Sequence, residues 1–245
     1  MEIKGFVDVS LVDWDGRVSS VIFLPRCNLR CPYCYNSTLV LHPGELPTVP
    51  FKEIEDYLKQ HRDWIDGVVI TGGEPTVHEG LLNLCSKIKG MGFLVKLDTN
   101  GTNPGMVKAL IEKGMVDYVA LDVKAPLKEE KYSVASGINA KILLGKIRET
   151  VKTLLDCKVE SEFRTTLVPT LHEKADVEEI CKEIRGCQKY VIQNFKGGVE
   201  TINPNFKGLK PFTDREMKAF LTLAKKFVPN TILRGAPTLS SQMER

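Results

Sequence analysis

Nothing in this chain of 245 residues is long and apolar enough to cross a bilayer, since no run approaches the roughly 18 residues that a spanning helix needs. Histidine is scarce. His42, His61, His78 and His172 are scattered and unpatterned, so no Ser/His/Asp constellation is visible, and no paired-carboxylate arrangement stands out either. A charge excess is also missing: 34 basic and 31 acidic residues leave +3, which gives no broad argument for nucleic acid or membrane, and any basic face must be local. The chain shows no repeat, low-complexity tract or linker, and its start, MEIKGFVDVSLVDWDG, lacks the charged-then-apolar pattern of a secretion signal. What remains is ordinary globular composition, 42% hydrophobic and 27% charged, with length enough for a large core. We expect a soluble, cytoplasmic protein with no membrane partner, in a compartment where thiols stay reduced.

Short β-rich runs alternate with helical stretches. Strands are expected at 18–24 (VSSVIFL), 67–71 (GVVIT), 93–99 (FLVKLDT), 115–123 (MVDYVALDV), 159–168 (VESEFRTTLV) and 189–195 (KYVIQNF). Helices are expected at 50–61, 80–90, 103–114, 140–157, 174–186 and 213–227, the last opened by a Thr213/Glu216 capping box. Six strand-then-helix units imply an α/β fold with a parallel sheet, and nothing divides it: a single domain over 1–245. Such a sheet puts its chemistry at the C-terminal ends of its strands. The unusual residues collect there: cysteines after the first strand, TGGEP after the second, DTNG after the third and DVK after the fourth.

Of the seven cysteines, Cys27, Cys31 and Cys34 fall within PRCNLRCPYCYN at 25–36. Cys85, Cys157, Cys181 and Cys187 read as small packing residues on helices or element ends. The clustered three lie in a polar loop with Asn28, Arg30 and Pro32, where packing is a poor explanation. Structural zinc needs a fourth ligand, for which a distant residue such as His42 is available, but the usual second hook is missing. An iron-sulfur cluster is the other reading, and three thiolates would leave one iron of a cubane open to a further ligand.

The spacing Cys27-x3-Cys31-x2-Cys34, with Tyr33 before the third cysteine, resembles the signature of the radical S-adenosylmethionine (SAM) superfamily. That resemblance implies a partial (β/α)6 TIM-type barrel, with a core at about 18–200 and N- and C-terminal extensions, the latter at 201–245. It also implies one 4Fe-4S cluster on the three cysteines, with SAM chelated to the open iron and cleaved, on reduction by an external one-electron donor, to methionine and a 5′-deoxyadenosyl radical. TGGEP resembles the family's glycine-rich SAM motif, which implies SAM contacts for Gly72, Gly73, Glu74 and Pro75, while Tyr33 would lie near the adenine. LDTNG, LDVK and FRTTLVP resemble segments of glycyl-radical-enzyme activases of the pyruvate formate-lyase type. By that likeness Asp98, Thr99, Asn100, Lys124 and Arg164 would contact SAM, with Asp122 beside SAM or substrate, and Asp15, Gln193 and Asn194 at a substrate or lid position. In plainer roles, Asp98 and Asn100 would cap a turn, Lys124 would end a strand in solvent and Arg164 would pair with a structural carboxylate.

The segment GFVDVSLVDWDGRVSSVIFLPRCNLRCPYCYN resembles the activating proteins of anaerobic ribonucleoside-triphosphate reductase, which implies a partner glycyl radical enzyme. The chain departs from the activase pattern at Tyr35, where histidine is usual, and at Gln193, Asn194 and Phe195, near the sixth strand end. Cys181-x5-Cys187 does not match a ferredoxin-like insert, so one cluster is expected. Two other readings compete: a radical SAM enzyme acting on a small molecule or tRNA base, and a non-catalytic iron-sulfur or zinc protein. The stretch 194–212 mixes Lys196, Lys207 and Lys210 with Phe195, Phe206 and Phe212, a pattern that fits nucleic acid less readily than a solvated lid.

Overall fold

In the computed structural model, which describes residues 1–235, the six apolar runs are six neighbouring parallel strands. They are β2 (Ser19–Leu24), β3 (Gly67–Gly72), β4 (Leu94–Thr99), β5 (Tyr118–Asp122), β6 (Glu160–Leu167) and β7 (Tyr190–Asn194). Two further strands complete the sheet. β1 (Gly5–Ser10) pairs antiparallel with β2, with an irregular register between Val7 and Ser10. β8 (Thr231–Arg234) pairs parallel with β7. Neither follows from the sequence pattern, because β1 is an edge whose Val7 and Val9 stay exposed and β8 is only four residues long. The order is β1 to β8 without permutation, so the curled sheet is a partial barrel with β1 and β8 as its two edges. The segment expected as a C-terminal extension thus carries a strand of the sheet itself.

The helices are α1 (Ser37–Leu41), α2 (Phe51–Gln60), α3 (Leu81–Gly90), α4 (Pro104–Glu112), α5 (Glu129–Ser136), α6 (Leu144–Asp156), α7 (Lys174–Glu183) and α8 (Asp214–Lys225). The Thr213/Glu216 capping box forms, and the helix expected from residue 140 opens with a 3-10 turn, Ala140–Ile142, before α6. α5 is unforeseen because EEKYSVAS has little amphipathic pattern and buries only Tyr132, Ala135 and Ser136. No helix among the described residues is long and apolar enough to cross a membrane.

Alternation along the strands separates two environments. Val68 and Ile70, Val95 and Leu97, Val119 and Leu121, and Phe163 face the helices and are fully buried, each stabilising the fold by roughly 1.5–3 kcal/mol. Between them Val69, Lys96, Tyr118, Ala120, Glu162 and Arg164 face the barrel interior, where the charges are buried and must be paired.

The interior has a floor. The loop at 11–18 carries Trp14 beneath the N-terminal ends of β3 and β5, 5.8 Å from the Tyr118 ring and so close to Gly67 that a Cβ there would lie 2.8 Å from the indole. Lys96 donates to the Asp13 carbonyl and lies 3.6 Å from Glu162. Asp15, expected at a substrate or lid position, is instead part of this floor. Its carboxylate accepts from Lys189, just before β7, and from Arg234 at 2.8 Å. Arg234 also grips both oxygens of Glu162, at 2.7 and 2.8 Å.

Candidate active site

At the opposite end, β2 runs into the cysteine loop through Arg26, a non-glycine residue at φ 64°. The two-residue gap lets Cys34 N–H donate to the Cys31 carbonyl at 3.0 Å, and the Leu29 N–H reaches Cys27 Sγ at 3.4 Å. All three thiols are free, Cys31 buried and Cys27 and Cys34 half-buried. Burial pushes Cys31 up to about 12; burial and then the Glu74 carboxylate push Cys27 up to about 11, with Lys124 pulling back. Any metal held here must displace a proton from each sulfur. Among the described residues no three Cys, His, Asp or Glu side chains converge on a point that suits one ion.

Glycines let the next strand end meet this loop. The Gly73 N–H donates to the Leu24 carbonyl and the Glu74 N–H to the Arg26 carbonyl, both at 2.8 Å. A Cβ on Gly73 would lie 1.7 Å from the Arg26 oxygen, and one on Gly72, at φ 117°, 2.4 Å from the Leu24 oxygen. The approach that these two glycines permit in this structure is therefore to the cysteine loop's own backbone.

Glu74 is 1% exposed and its carboxylate is already engaged. Oε1 accepts from the Thr76 N–H and hydroxyl and from the Thr99 hydroxyl; Oε2 accepts the Asn100 N–H at 2.7 Å. Pro75 is buried and starts the 3-10 turn Pro75–Val77 that follows. Asn100 in turn donates to Asn28 at 2.9 Å and approaches Cys27 Sγ at 3.8 Å, while Asn28 donates to Thr102 at 2.7 Å. Asn36 donates to the Gly72 carbonyl at 3.3 Å. Glu74 and Asn100 thus tie TGGEP, DTNG and the cysteine loop into one hydrogen-bonded body. The sequence shows Asn28 only as part of a polar loop, and nothing in it singles out Asn36 or Thr102.

Four charges line the interior above. Arg164 donates from Nε to Asp122 at 2.7 Å and from NH1 to Asp98 at 3.0 Å, and Lys124 donates to the other Asp122 oxygen at 2.9 Å. Burial opposes ionisation at Asp122, but Arg164 and Lys124 outweigh it and hold the carboxyl far below the usual range. Lys124 is fixed from behind by its backbone. His172 Nε2 donates to the Lys124 carbonyl at 2.8 Å while Nδ1 accepts the Val168 N–H at 3.0 Å, which assigns the neutral tautomer; burial pushes this imidazole's pKa down. No spacing marks His172 in the sequence.

Two buried polar atoms lack a hydrogen-bond partner among the described residues here: the Tyr33 hydroxyl and Asp98 Oδ1, the latter 3.8 Å from Lys96. Such atoms call for a further partner. Gln193 is half-buried on the inner face, and Tyr35 is 61% exposed beside Cys34. Asn194 is not available to a substrate, because its amide is doubly bonded to the backbone of Phe212. The rings of 194–212 do not form a stacking platform either: Phe195 is buried against Phe206, and Phe212 packs on Phe220. Three thiols from one loop, beside a charged chamber with orphaned polar atoms, fit a cluster with one open iron and a ligand bearing charged groups.

The family model described as the radical SAM superfamily matches residues 21–184. A Methanocaldococcus jannaschii protein, provisionally named a glycyl-radical enzyme activating enzyme, is 34% identical over 95% of this chain and 95% of its own. The pyruvate formate-lyase-activating enzyme of Clostridium pasteurianum is 26% identical over 76% of this chain and 79% of its own. Among solved structures, Streptococcus suis SuiB bound to S-adenosylmethionine superposes with TM-score 0.68 at 15% identity, covering 90% of this chain and 53% of SuiB, so this chain spans about half of SuiB's length. A radical SAM methyltransferase from Sphaerobacter thermophilus gives 0.68 at 15% identity, covering 93% and 70%.

Proposed function

The chain belongs to the radical SAM superfamily, and from that premise we propose that it generates a glycyl radical on a partner enzyme, an anaerobic ribonucleoside-triphosphate reductase. The likeness over nearly the full length of both chains to a named glycyl-radical enzyme activating enzyme carries the reading. The substrate is then a glycine Cα in a protein. With its cluster and SAM bound, such an enzyme draws one electron from an external donor, cleaves SAM reductively and gains the means to take a hydrogen atom from that carbon.

The chain's own residues supply position and field. Cys27, Cys31 and Cys34 would hold the 4Fe-4S cluster, with Asn100 and the Leu29 N–H placed to soften the charge on Cys27. Asp98, Asp122, Lys124 and Arg164 form a balanced set of two carboxylates and two cations, pre-organised to receive the polar groups of SAM. Asp98 Oδ1 offers a free acceptor within that set, and the Tyr33 hydroxyl a free donor beside the cysteine loop. Glu74 acts through Thr99 and Asn100, whose backbone it orients. Inward packing of Phe195, Phe206 and Phe212 weighs against a tRNA base as substrate.

The test is anaerobic reconstitution with iron and sulfide, followed by SAM and a strong reductant, with and without an anaerobic reductase. Formation of 5′-deoxyadenosine together with a glycyl radical signal on the reductase in electron paramagnetic resonance is expected. SAM cleavage with no radical on the reductase, and turnover of a small molecule instead, would overturn the activase reading.

A further inference from the structure

Residues 195–212 leave the C-terminal end of β7 and return to start α8, and they are tied down at both ends of the excursion. At the base, Asn194 Nδ2 donates to the Phe212 carbonyl at 2.7 Å and its Oδ1 accepts the Phe212 N–H at 3.2 Å, so one side chain closes the loop as a strand partner would. Midway, the Gly198 N–H donates to the Lys207 carbonyl at 3.0 Å, and Gly197 runs so close to Leu209 that an added Cβ would meet its oxygen at 2.6 Å. At the apex the buried Thr201 hydroxyl donates to the Asn203 carbonyl, and the Asn203 side chain accepts the Asn205 N–H.

That apex lands on the cysteine loop. The Ile202 N–H donates to the Cys34 carbonyl at 3.0 Å and the Asn203 N–H to the Pro32 carbonyl at 2.9 Å. Cys34 is the third sulfur-bearing residue and Pro32 lies two positions before it, in a stretch with no helix or strand of its own to fix it. Both residues are half-buried, so each of these hydrogen bonds is worth about 0.5–1.5 kcal/mol, and together they both stabilise the loop and select its conformation.

We propose that residues 195–212 are a strap that sets the position of Cys34 relative to Cys31, and that Asn194 is its latch: a positioning residue for the cluster rather than a substrate contact. The inference rests on the reading of Cys27, Cys31 and Cys34 as cluster ligands. Opening the latch frees the apex, the Cys34 and Pro32 carbonyls lose their donors, and the third thiolate is no longer held where the cluster needs it.

The experiment uses full-length protein reconstituted anaerobically, as wild type, N194A, N194D and G197A. Three quantities are read: the rate of iron transfer to a ferrous chelator, the electron paramagnetic spectrum of the reduced cluster with and without SAM, and the urea midpoint of the apo protein. N194A is expected to release iron about tenfold faster, the usual scale for loss of an outer partner of a metal site, with shifted g-values and a weakened response to SAM. N194D keeps the acceptor for the Phe212 N–H and loses the donor, so it falls between. G197A wedges the strap away from its latch, changes the same readouts in the same direction, and decides the matter if N194A does not fold. A folded N194A or G197A with wild-type iron release and spectrum overturns the proposal. Absence of any four-iron signal in the wild type overturns the cluster reading beneath it, which is a separate result.

Discussion

Glu74 accepts the backbone N–H of Asn100 at 2.7 Å, so the end of β3 and the end of β4 move as one piece beneath the cysteine loop. Replacing Glu74 with alanine strands the Asn100 N–H, the Thr76 N–H and the Thr99 hydroxyl in a buried place. With about 1–3 kcal/mol for each buried group left unpaired, the apo protein should lose on the order of 3 kcal/mol in urea unfolding. Glu74→Gln keeps one acceptor oxygen and should lose less. A loss below about 1 kcal/mol for the alanine variant would mean that these groups find other partners.

Arg164 spans Asp98 and Asp122 with two different nitrogens, a task that a single ammonium cannot repeat. Arg164→Lys should therefore weaken SAM binding to the reconstituted protein by roughly 10–100-fold, the worth of one or two charge-assisted hydrogen bonds, while iron content stays at the wild-type level. Equilibrium dialysis with labelled SAM measures it. Equal affinity in the lysine variant would place SAM away from this quartet.

Serine at Cys27, Cys31 or Cys34 should each abolish the visible absorption and iron retention of the reconstituted protein, because a missing thiolate leaves an iron unheld. Cys85→Ala and Cys181→Ala remove fully buried sulfurs on α3 and α7 and should cost stability only, about 1–2 kcal/mol. Iron loss in either of the last two would show a role beyond packing.

The cysteine loop and its three partner motifs were readable because each departs from what folding alone requires of a strand end. The six central strands were readable for the opposite reason: runs such as GVVIT and SSVIF are buried on both faces and admit no other assignment. β1 carries apolar residues that remain in solvent, so its pattern argued against a strand, and TILR is too short to register. The site's rear support was silent for a different reason. Ile202 and Asn203 act through backbone N–H groups, which every residue but proline possesses, and His172 acts through a contact spanning 48 residues. Gly72 and Gly73 were visible as glycines, yet what presses on them is the Arg26 and Leu24 backbone, which no motif reveals.

Stability should fall with acid through the barrel floor. Burial pushes Glu162 up, but Arg234, Lys96 and Arg164 outweigh it and bring it from 4.5 to about 2; burial likewise opposes Lys189 and Arg234 at Asp15, which ends at about 2 rather than 3.8. Both folded values lie below the unfolded ones, so the unfolded chain binds more protons as pH drops. Their contribution is complete above pH 4.5 and is lost as pH falls through 2. Urea midpoints at pH 7, 5, 4 and 3 measure the slope. Glu162→Gln should cost about 3 kcal/mol at pH 7, since Lys96 is left with only Asp98 and Arg234 with only Asp15, and should flatten that slope. An unchanged slope in the glutamine variant would assign the acid sensitivity elsewhere.

The floor also dictates a timetable. Asp15 waits 174 residues for Lys189 and 219 for Arg234, whereas β2 to β7 each pair with the strand made just before them. A nascent chain can therefore lay down its sheet strand by strand while the loop bearing Trp14 stays unlatched until residue 234 exists. During that interval the edge of β7 that β8 will cover stands unpaired, and it is free to pair with the wrong chain. Truncating before Thr231 would leave that edge open, so aggregation during synthesis, more than loss of chemistry, is the cost of an unfinished sheet.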